Sequence, residues 1–527
     1  MIAAALDSGR GLAAGATGGL PASALLVRES FLAPTRTGIP SRRVPRAPCP
    51  PVRIAVALML VLSAATSPAA ADDTDQVIVL KAGRVYTVSG APIDGGIVIV
   101  RAGRIEAVGR DLQVPEQARV IELADAVITP GLIDACCAVD FEIPQAAFSR
   151  LYSADEQPSF WRTLAELQQR RRMDEDRAID PESGGPPSFT TPEGLAAASP
   201  PNLTWAEHAS EVTPHRLVSD SLNLFSNDFA RLMKGGVTTV YVSPDSASVI
   251  GSRGTVVKTA GRLSERVVRR ADAVKATMGS DPSRRGRGNV LPPGRGRSAP
   301  PSFHTRRPTT RMGVEWVFRK AFYDAQRARD GLELHGADMP PRQALPVLQQ
   351  VLDGEIPLRI QARMQHDVFT ALRLAAEFKL KFILEEATEA YRCLPQLQAA
   401  DVPVVFGPIY MAPTGYRRYS GEADRPRLNT PKQLADAGIE FALTAQELRD
   451  EEGLLRQGMY AVRHGLSAEE ALRAITATPA ALLGLSGQLG VVAPGAAADL
   501  VVWNTEPFDA TSRPLLVMID GRVVYEE

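Results

Sequence analysis

The chain has 527 residues, of which 45% are apolar and 23% are charged, and its formal net charge is -1. This composition is typical of globular proteins and excludes a collagen-like or largely disordered chain. The balanced charge gives no global reason to expect binding to nucleic acid or to a membrane surface.

The N-terminal residues 1–71 form a distinct segment. They contain seven Arg and two acidic residues, and their apolar run Ile54–Leu62 is followed by Ala69-x-Ala71 and then Asp72. A basic flank, a short apolar run and small residues at a cleavage point are typical of a secretory signal, and the run is too short to span a bilayer. The sequence therefore predicts export to the periplasm or medium, with no stable membrane span after signal removal. A tethered N-terminal helix is the alternative.

Short alternating strands are predicted at both ends of the remaining chain. Residues 72–125 contain strand patterns separated by Gly, and residues 485–527 repeat this pattern in "DLVVWN" and "PLLVMIDGRVVYEE". Alternating apolar and polar residues with turn signals between them indicate hairpins. We predict that the two segments together form one small composite β-sandwich.

Residues 126–484 alternate between short apolar strands and amphipathic helices, which indicates βα units and a parallel sheet. The helices include His366–Phe378 and Ala468–Leu482, the second with Ser467 as its N-cap. We predict an α/β fold of the TIM type, a (β/α)8 barrel. The predicted strands are Val127–Leu132, Val237–Val242, Leu358–Ala362, Lys381–Leu384, Val402–Phe406 and Phe441–Leu443.

Two insertions interrupt the predicted barrel, at residues 159–202 and 279–311. The first begins as a charged helical pattern and becomes rich in Pro, Ser and Gly, and the second is rich in Pro, Gly and Arg. Basic runs bind nucleic acid in some proteins, but a run of this composition is more often a solvated loop. We therefore predict solvated insertions and no nucleic-acid partner.

Several framework segments occur in a fixed order: "GRVYTVSGAPIDGGIVIVRAGRIEAVG", "VITPGLIDA", "GTVVKTAG", "VPVVFGP" and "GVVAPGAAADLVVW". Together they resemble the amidohydrolase superfamily, in its imidazolonepropionase-like branch. The resemblance implies a TIM-type barrel with a composite β-sandwich. It also implies hydrolysis of C–N bonds, often in cyclic amides or dipeptides, by water bound to Zn or another divalent metal.

The chain departs from this family at the positions of the metal ligands. The His-x-His after the first strand is Cys-Cys-Ala, and the His-Ala-His after the fifth strand is Gln-Ala-Arg. The Glu-His-Gly of the sixth strand is Glu-Glu-Ala, and the Asp of the eighth strand is replaced by Gln. The substituted positions are Cys136, Ala138, Gln361, Arg363, Glu386 and Gln446.

A further position, Lys258, corresponds to a Lys that this branch carboxylates to bridge two metals. With an ordinary ammonium group, Lys258 is predicted to line a pocket together with the substituted positions. None of the six His residues of the chain pairs with another at a spacing of two to four residues, so an imidazole-rich site is hard to build. We expect no metal cofactor.

Two catalytic possibilities stay open. In the first, Cys136 beside Arg363 is a thiolate nucleophile and Glu386 is a base. In the second, thiolates and carboxylates form a substitute metal site. The donors for that site would be Cys136, Cys137, Asp140, Glu385 and Glu386.

Two roles without catalysis are also open. An ion pair between Arg363 and Glu386 could take over the charge of the metal, either inside a pocket for a small-molecule ligand or as an internal salt bridge. The barrel could also serve as a partner subunit, in a homo-oligomer or with an active paralogue. We predict a pseudoenzyme that binds a ligand or a partner subunit; the alternative is an active C–N hydrolase with an unorthodox site.

Overall fold

The computed structural model describes residues 77–139, 210–285, 308, 310–336, 339–409 and 427–527. The predicted signal and the insertion 159–202 lie outside these ranges, as does most of the insertion 279–311. Within the described ranges, no helix has the length and apolar character that crossing a membrane requires.

The described residues form an α/β structure, and this fold class is confirmed. The strands are β1 Ile78–Val85, β2 Ile93–Asp94, β3 Ile97–Arg101, β4 Arg104–Gly109, β5 Arg119–Pro130, β6 Leu132–Cys137, β7 Val237–Val242, β8 Ile250–Arg253, β9 Thr255–Lys258, β10 Val267–Arg269, β11 Val274–Thr277, β12 Leu358–Ala362, β13 Phe382–Glu386, β14 Val404–Phe406, β15 Phe441–Leu443, β16 Leu500–Trp503, β17 Pro514–Ile519 and β18 Arg522–Glu526.

Helices connect most of the later strands. The α-helices of the described ranges are α1 Asn227–Lys234, α2 Asp281–Arg285, α3 Arg311–Arg329, α4 Ala344–Leu352, α5 Gln365–Phe378, α6 Leu394–Ala399, α7 Thr430–Asp436, α8 Leu454–Arg463, α9 Ala468–Ala474 and α10 Ala477–Leu482. The predicted strands at β7, β12 and β15 have the observed bounds.

One eight-stranded sheet contains strands from both ends of the described chain. Its order is β18-β17-β16-β5-β1-β3-β4, with β2 paired to β1. The two ends meet where β16 runs antiparallel to β5, with Val502 opposite Ile128, both fully buried. The second sheet that a sandwich requires remains a prediction.

Parallel pairing dominates the six-stranded sheet, whereas the four-stranded sheet β10-β9-β7-β6 has one parallel and two antiparallel pairs. Strands β11 to β15 are parallel neighbours in the order β15-β14-β13-β12-β11, with β8 antiparallel at the edge. Strands β6 and β7 form a second parallel pair. Parallel strands end at the same edge of a sheet, so residues that follow β12 and β13 lie side by side. Closure of eight strands into a barrel remains a prediction.

The helices bury the outer faces of these strands. Phe318 and Phe322 of α3 have ring centroids 4.7 Å apart, and Phe322 lies 5.4 Å from Phe378 at the end of α5. Aromatic rings at these distances add to the stability gained by burial. This packing holds α3 and α5 beside the ends of β11 and β12.

The predicted helix Ala468–Leu482 is two helices, α9 and α10. Ser467 caps α9 as predicted, because its hydroxyl accepts from the Glu470 N–H and the Glu470 carboxylate accepts in return. The helix ends before Ile475. Pro479 explains the break, since a proline ring clashes with the carbonyl four residues earlier and offers no N–H to it.

The predicted strand Val127–Leu132 is also interrupted, between β5 and β6. Gly131 donates its N–H to the carbonyl of Asp499 at 2.8 Å, outside both strands. A Cβ at this position would lie 2.2 Å from Thr238 Oγ1. Only glycine fits this close approach, so the "PG" of the framework segment separates the terminal sheet from the strand that leads to the site.

Candidate functional site

Three of the predicted site residues meet at the end of β6. The Gln446 side-chain amide donates to Cys136 Sγ at 3.7 Å, and the Ala138 N–H donates to the Gln446 carbonyl at 3.3 Å. Cys136 and Gln446 are both buried. The end of β6 therefore lies against the residues that follow β15.

Three more of the predicted residues meet where β12 and β13 end. The Arg363 guanidinium donates to both carboxylate oxygens of Glu386. Its Nη1 also lies 2.8 Å from Asp281 Oδ2, and the Gln361 amide donates to the same oxygen at 3.3 Å. The predicted ion pair between Arg363 and Glu386 is therefore present, with Asp281 as a second anion.

A second layer of charges lies deeper and was not predicted as a network. Arg359 Nη1 donates to Glu385 Oε1 at 2.8 Å, and Lys275 Nζ lies 3.2 Å from Glu385 Oε2. The guanidinium carbon of Arg359 stands 4.0 Å from the centre of the Tyr241 ring. Lys275 and Arg359 could have been recognised in the sequence, because each is a basic residue inside a short apolar strand.

The two layers form one group that we call the ionic cluster. It contains three cations and three anions, so its formal charge is zero. Each member is at most 5% exposed, and buried ions are stable only when they are paired. The members of the ionic cluster are Lys275, Arg359, Arg363, Asp281, Glu385 and Glu386.

The Cys136 thiol has the wrong protonation state for a nucleophile. Burial raises the pKa of Cys136 well above its usual value, and the negative charge of Glu385 raises it further. Reactivity requires the thiolate. The neighbouring thiol of Cys137 packs into a different apolar cluster, and burial raises its pKa as well. The cysteines of the described ranges are free thiols.

These pKa shifts predict that Cys136 resists alkylation at neutral pH in the folded protein. Iodoacetamide followed by peptide mass spectrometry should leave Cys136 unmodified in the native state and modify it fully after denaturation. Met312→Cys gives a positive control, because residue 312 is 78% exposed. Native-state labelling of Cys136 at the rate of this control would contradict the assignment of a protonated, buried thiol.

A serine and a lysine also make contact at this edge of the sheet. Lys275 Nζ donates to Ser243 Oγ at 2.9 Å, a distance at which a lysine can act as the base for a serine nucleophile. Burial lowers the pKa of Lys275, but the Glu385 carboxylate offsets this effect and the net pKa is raised. Lys275 is therefore an ammonium that donates to Ser243, which is the wrong state for a base.

The donors present do not fit a metal ion of the kind that the family resemblance implies. Glu385, Glu386 and Asp281 are each paired with a guanidinium or an ammonium group, which a metal would have to displace. Within the described part of the chain, no three His, Cys, Asp or Glu side chains converge as metal ligands would. Asp140, one of the donors predicted for a substitute metal site, lies outside the described residues.

The structure places Lys258 at a different site. Its Nζ is 2.8 Å from Asp499 Oδ2 and 2.7 Å from Asp520 Oδ1, and its side chain is only 6% exposed. Burial raises the pKa of Asp499 and the Lys258 charge lowers it in turn. Lys258 therefore joins β9 to the turns before β16 and after β17.

Replacing Lys258 with methionine should lower the stability of the protein by about 2 kcal/mol, because the buried Asp499 carboxylate would lose the hydrogen-bond donor at its Oδ2. Thermal unfolding measures this change. Lys81→Met is the matched control, since Lys81 and its partner Glu122 have side chains that are 37% and 67% exposed. Equal melting temperatures for the two variants would contradict the role assigned to Lys258.

Two framework residues that were not predicted as functional hold the ends of β6 and β15 together. Asp134 Oδ1 accepts from the Thr444 hydroxyl at 2.6 Å, and its Oδ2 accepts from the Ala445 N–H at 3.0 Å. Arg449 donates from Nη1 to the Gln446 carbonyl after β15 at 2.6 Å, and from Nη2 to the Ala138 carbonyl after β6. An acidic residue within the apolar segment "LIDA" was the sequence signal for Asp134.

The backbone next to the ionic cluster contains unusual conformations. Glu386 and Ala387 have φ angles of 66° and 48° at the end of β13, and Gln446 has a φ of 51° after β15. Residues other than glycine seldom adopt positive φ, and such strain concentrates at functional sites. These are the strand ends that would present metal ligands in the family that the framework segments resemble.

A cavity of about 200 Å³ lies beside the ionic cluster, between the first turns of α3 and α5. None of the predicted site residues lines it. His366 does so, with its side chain 59% exposed and its Nε2 3.4 Å from Asp367 Oδ1. The lining residues are Met278, Gly279, Arg311, Val314, Glu315, His366, Asp367 and Thr370.

Comparisons with known proteins place this geometry in context. Residues 429–525 match the profile of the amidohydrolase family. The chain is 26% identical to a solved amidohydrolase from Thermotoga maritima MSB8, with a TM-score of 0.63 over 85% of this chain and all of that one. Over 342 residues the chain is also 25% identical to amidohydrolase tasK from Hapsidospora irregularis. The matched residues make up 61% of this chain and 34% of the relative. The match thus spans about a third of that relative's length.

Proposed function

We propose that this chain is a non-hydrolytic member of the imidazolonepropionase-like branch of the amidohydrolase superfamily. The profile match and the structural similarity support its membership of the superfamily. In this proposal the protein is exported and binds a small-molecule ligand or a partner subunit. The partner would be a second copy of the chain or an active relative. Export follows from the signal-like sequence in residues 1–71.

One observation carries the proposal. Arg363 occupies a position where the resemblance implies a histidine ligand, and its guanidinium is paired with Glu386 and Asp281. A divalent ion near this site would be repelled by the Arg363 guanidinium and would have to displace that guanidinium from the carboxylates of Glu386 and Asp281. The Arg363 guanidinium thus supplies positive charge where the family places its metal.

A second candidate function is hydrolysis of a C–N bond through an unorthodox site. The positive φ angles at Glu386, Ala387 and Gln446 favour it, because strained backbone is usually retained where a site still works. Glu386→Gln distinguishes the two functions. If the chain is a hydrolase that uses this base, dipeptide or cyclic-amide hydrolysis should be measurable and should fall in the variant.

Metal content of the purified full chain tests the primary proposal. We expect substoichiometric zinc, manganese and iron after expression with each metal and dialysis. The matched control restores His at Cys136, Ala138, Gln361 and Arg363, which supplies imidazole donors and releases Glu386 for coordination. Stoichiometric metal in the unmodified chain would overturn the proposal, and metal in the control variant alone would support it.

A further inference from the structure

The cavity between α3 and α5 lies at the edge of the parallel sheet where strands β11 and β12 end. Met278 and Gly279 directly follow β11, and α5 begins three residues after the end of β12. Ligands of parallel α/β folds bind outside the carboxyl ends of the strands. The volume of about 200 Å³ is below the roughly 300 Å³ of the smallest drug-sized pockets, so the cavity suits a molecule of few atoms.

Two basic side chains at this cavity share one buried carboxylate. Arg311 Nε donates to Asp367 Oδ1 at 2.9 Å, and His366 Nε2 lies 3.4 Å from the same oxygen. A second bond joins Arg311 Nη2 to Asp367 Oδ2 at 3.3 Å. The Asp367 side chain is 4% exposed, whereas those of Arg311 and His366 are 40% and 59% exposed. Asp367 therefore fixes both basic groups at a wall of the cavity that a ligand can reach.

Glu315, the second carboxylate among the described lining residues, is neutralised by its own partners. Its Oε2 accepts from Arg373 at 2.9 Å and from Arg319 at 3.4 Å, and its Oε1 accepts from the Thr370 hydroxyl at 3.3 Å. Bonds from guanidinium groups offset the negative charge of a carboxylate. An anion bound beside Arg311 therefore meets little repulsion from Glu315.

Two apolar side chains, Met278 and Val314, belong to the same lining. Contact with them removes the hydrocarbon part of a ligand from water, which favours binding. The cavity thus combines two basic groups with an apolar surface. This combination is complementary to an organic acid with a short hydrocarbon chain.

We propose that this cavity binds a small organic carboxylate with a short apolar chain. The carboxylate accepts hydrogen bonds from the Arg311 guanidinium and the His366 imidazole, and the chain lies against Met278 and Val314. Asp367 is a positioning residue that holds the two donors. The proposal rests on the ligand-binding role proposed above and names the class of ligand for that role. The substituted metal-ligand positions are not among the described residues that line the cavity, so this site is separate from the one where the family places its metal.

Saturation-transfer NMR of the full chain with isovalerate tests the assignment, and isovaleramide is the uncharged control of the same shape. We expect saturable binding of the acid and about tenfold weaker binding of the amide, because hydrogen bonds to a charged group are the stronger ones. No saturable binding of the acid, or equal binding of the amide, would overturn the proposal. Metal content is a separate measurement, so a metal-free chain that binds no acid would refute the carboxylate site alone and leave the loss of the metal centre unaffected.

Two variants locate the binding site. Arg311→Gln should weaken the binding of isovalerate about tenfold or more, and His366→Gln should weaken it by a smaller factor. The second variant keeps the test valid if the first one unfolds, because the His366 side chain is 59% exposed. Arg329→Gln is the matched control and should leave the affinity unchanged, since Arg329 is at the other end of α3, is 42% exposed and pairs with Asp353. An unchanged affinity in either Arg311→Gln or His366→Gln would overturn the proposal.

Discussion

Glu385→Gln is expected to destabilise the protein by about 3–5 kcal/mol, the range found when one partner of a buried ion pair is removed. Glu385 is fully buried and is the anion that pairs with both Arg359 and Lys275. Glutamine keeps the size of the side chain but leaves two cations in the interior without that negative charge. Chemical denaturation followed by tryptophan fluorescence measures the loss.

Two further variants identify the cause of this loss. Glu122→Gln removes an anion from the exposed pair with Lys81, and it should change stability by less than about 1 kcal/mol. Adding Lys275→Met to Glu385→Gln removes one unpaired cation and should recover part of the lost stability. A double variant no more stable than Glu385→Gln would show that unpaired charge is not the cause.

The second large effect is expected at Asp134. Asp134→Ala removes the acceptor for the Thr444 hydroxyl and for the N–H groups of Cys136 and Ala445, all of them buried. Bonds to a charged acceptor contribute about 1.5–3 kcal/mol, and buried donors left without partners add to the loss. We therefore expect a loss of about 3 kcal/mol or more in the free energy of unfolding.

A double-mutant cycle with Thr444→Val tests the geometry behind this prediction. Thr444→Val alone removes one hydrogen bond to Asp134 and should lower stability by about 1 kcal/mol. Because the two residues are in direct contact, the combined variant should lose less than the sum of the single changes. Strict additivity would mean that Asp134 and Thr444 do not interact as described.

The meeting of Arg363 and Glu386 could be predicted from the sequence. Both residues follow apolar stretches that indicate strands of a parallel sheet, and such strands end at a common edge. The structure pairs β12 with β13 and places Ala362 opposite Glu386. Adjacent strands and a shared edge are sufficient to bring opposite charges together there.

The position of Lys258 could not be predicted in this way. The sequence places it at a strand end, and that is where it lies. Its strand, however, pairs antiparallel with β7 and β10, and the side chain binds Asp499 and Asp520. Strand direction within a sheet depends on pairing with segments distant in the chain, which local sequence patterns do not specify.

The sequence by itself determined the α/β class, the strands at β7, β12 and β15 and the capped start of α9, because alternation, periodicity and capping act over a few residues. Only the tertiary structure decided that Lys275, Arg359 and Glu385 form one network. These residues are on three different strands, and their contacts depend on strand register. A sequence pattern shows which face of its strand a side chain occupies, but it does not show which distant charged residue that side chain contacts. This contact decides whether the carboxylates of the site pair with a metal ion or with basic side chains of the chain itself.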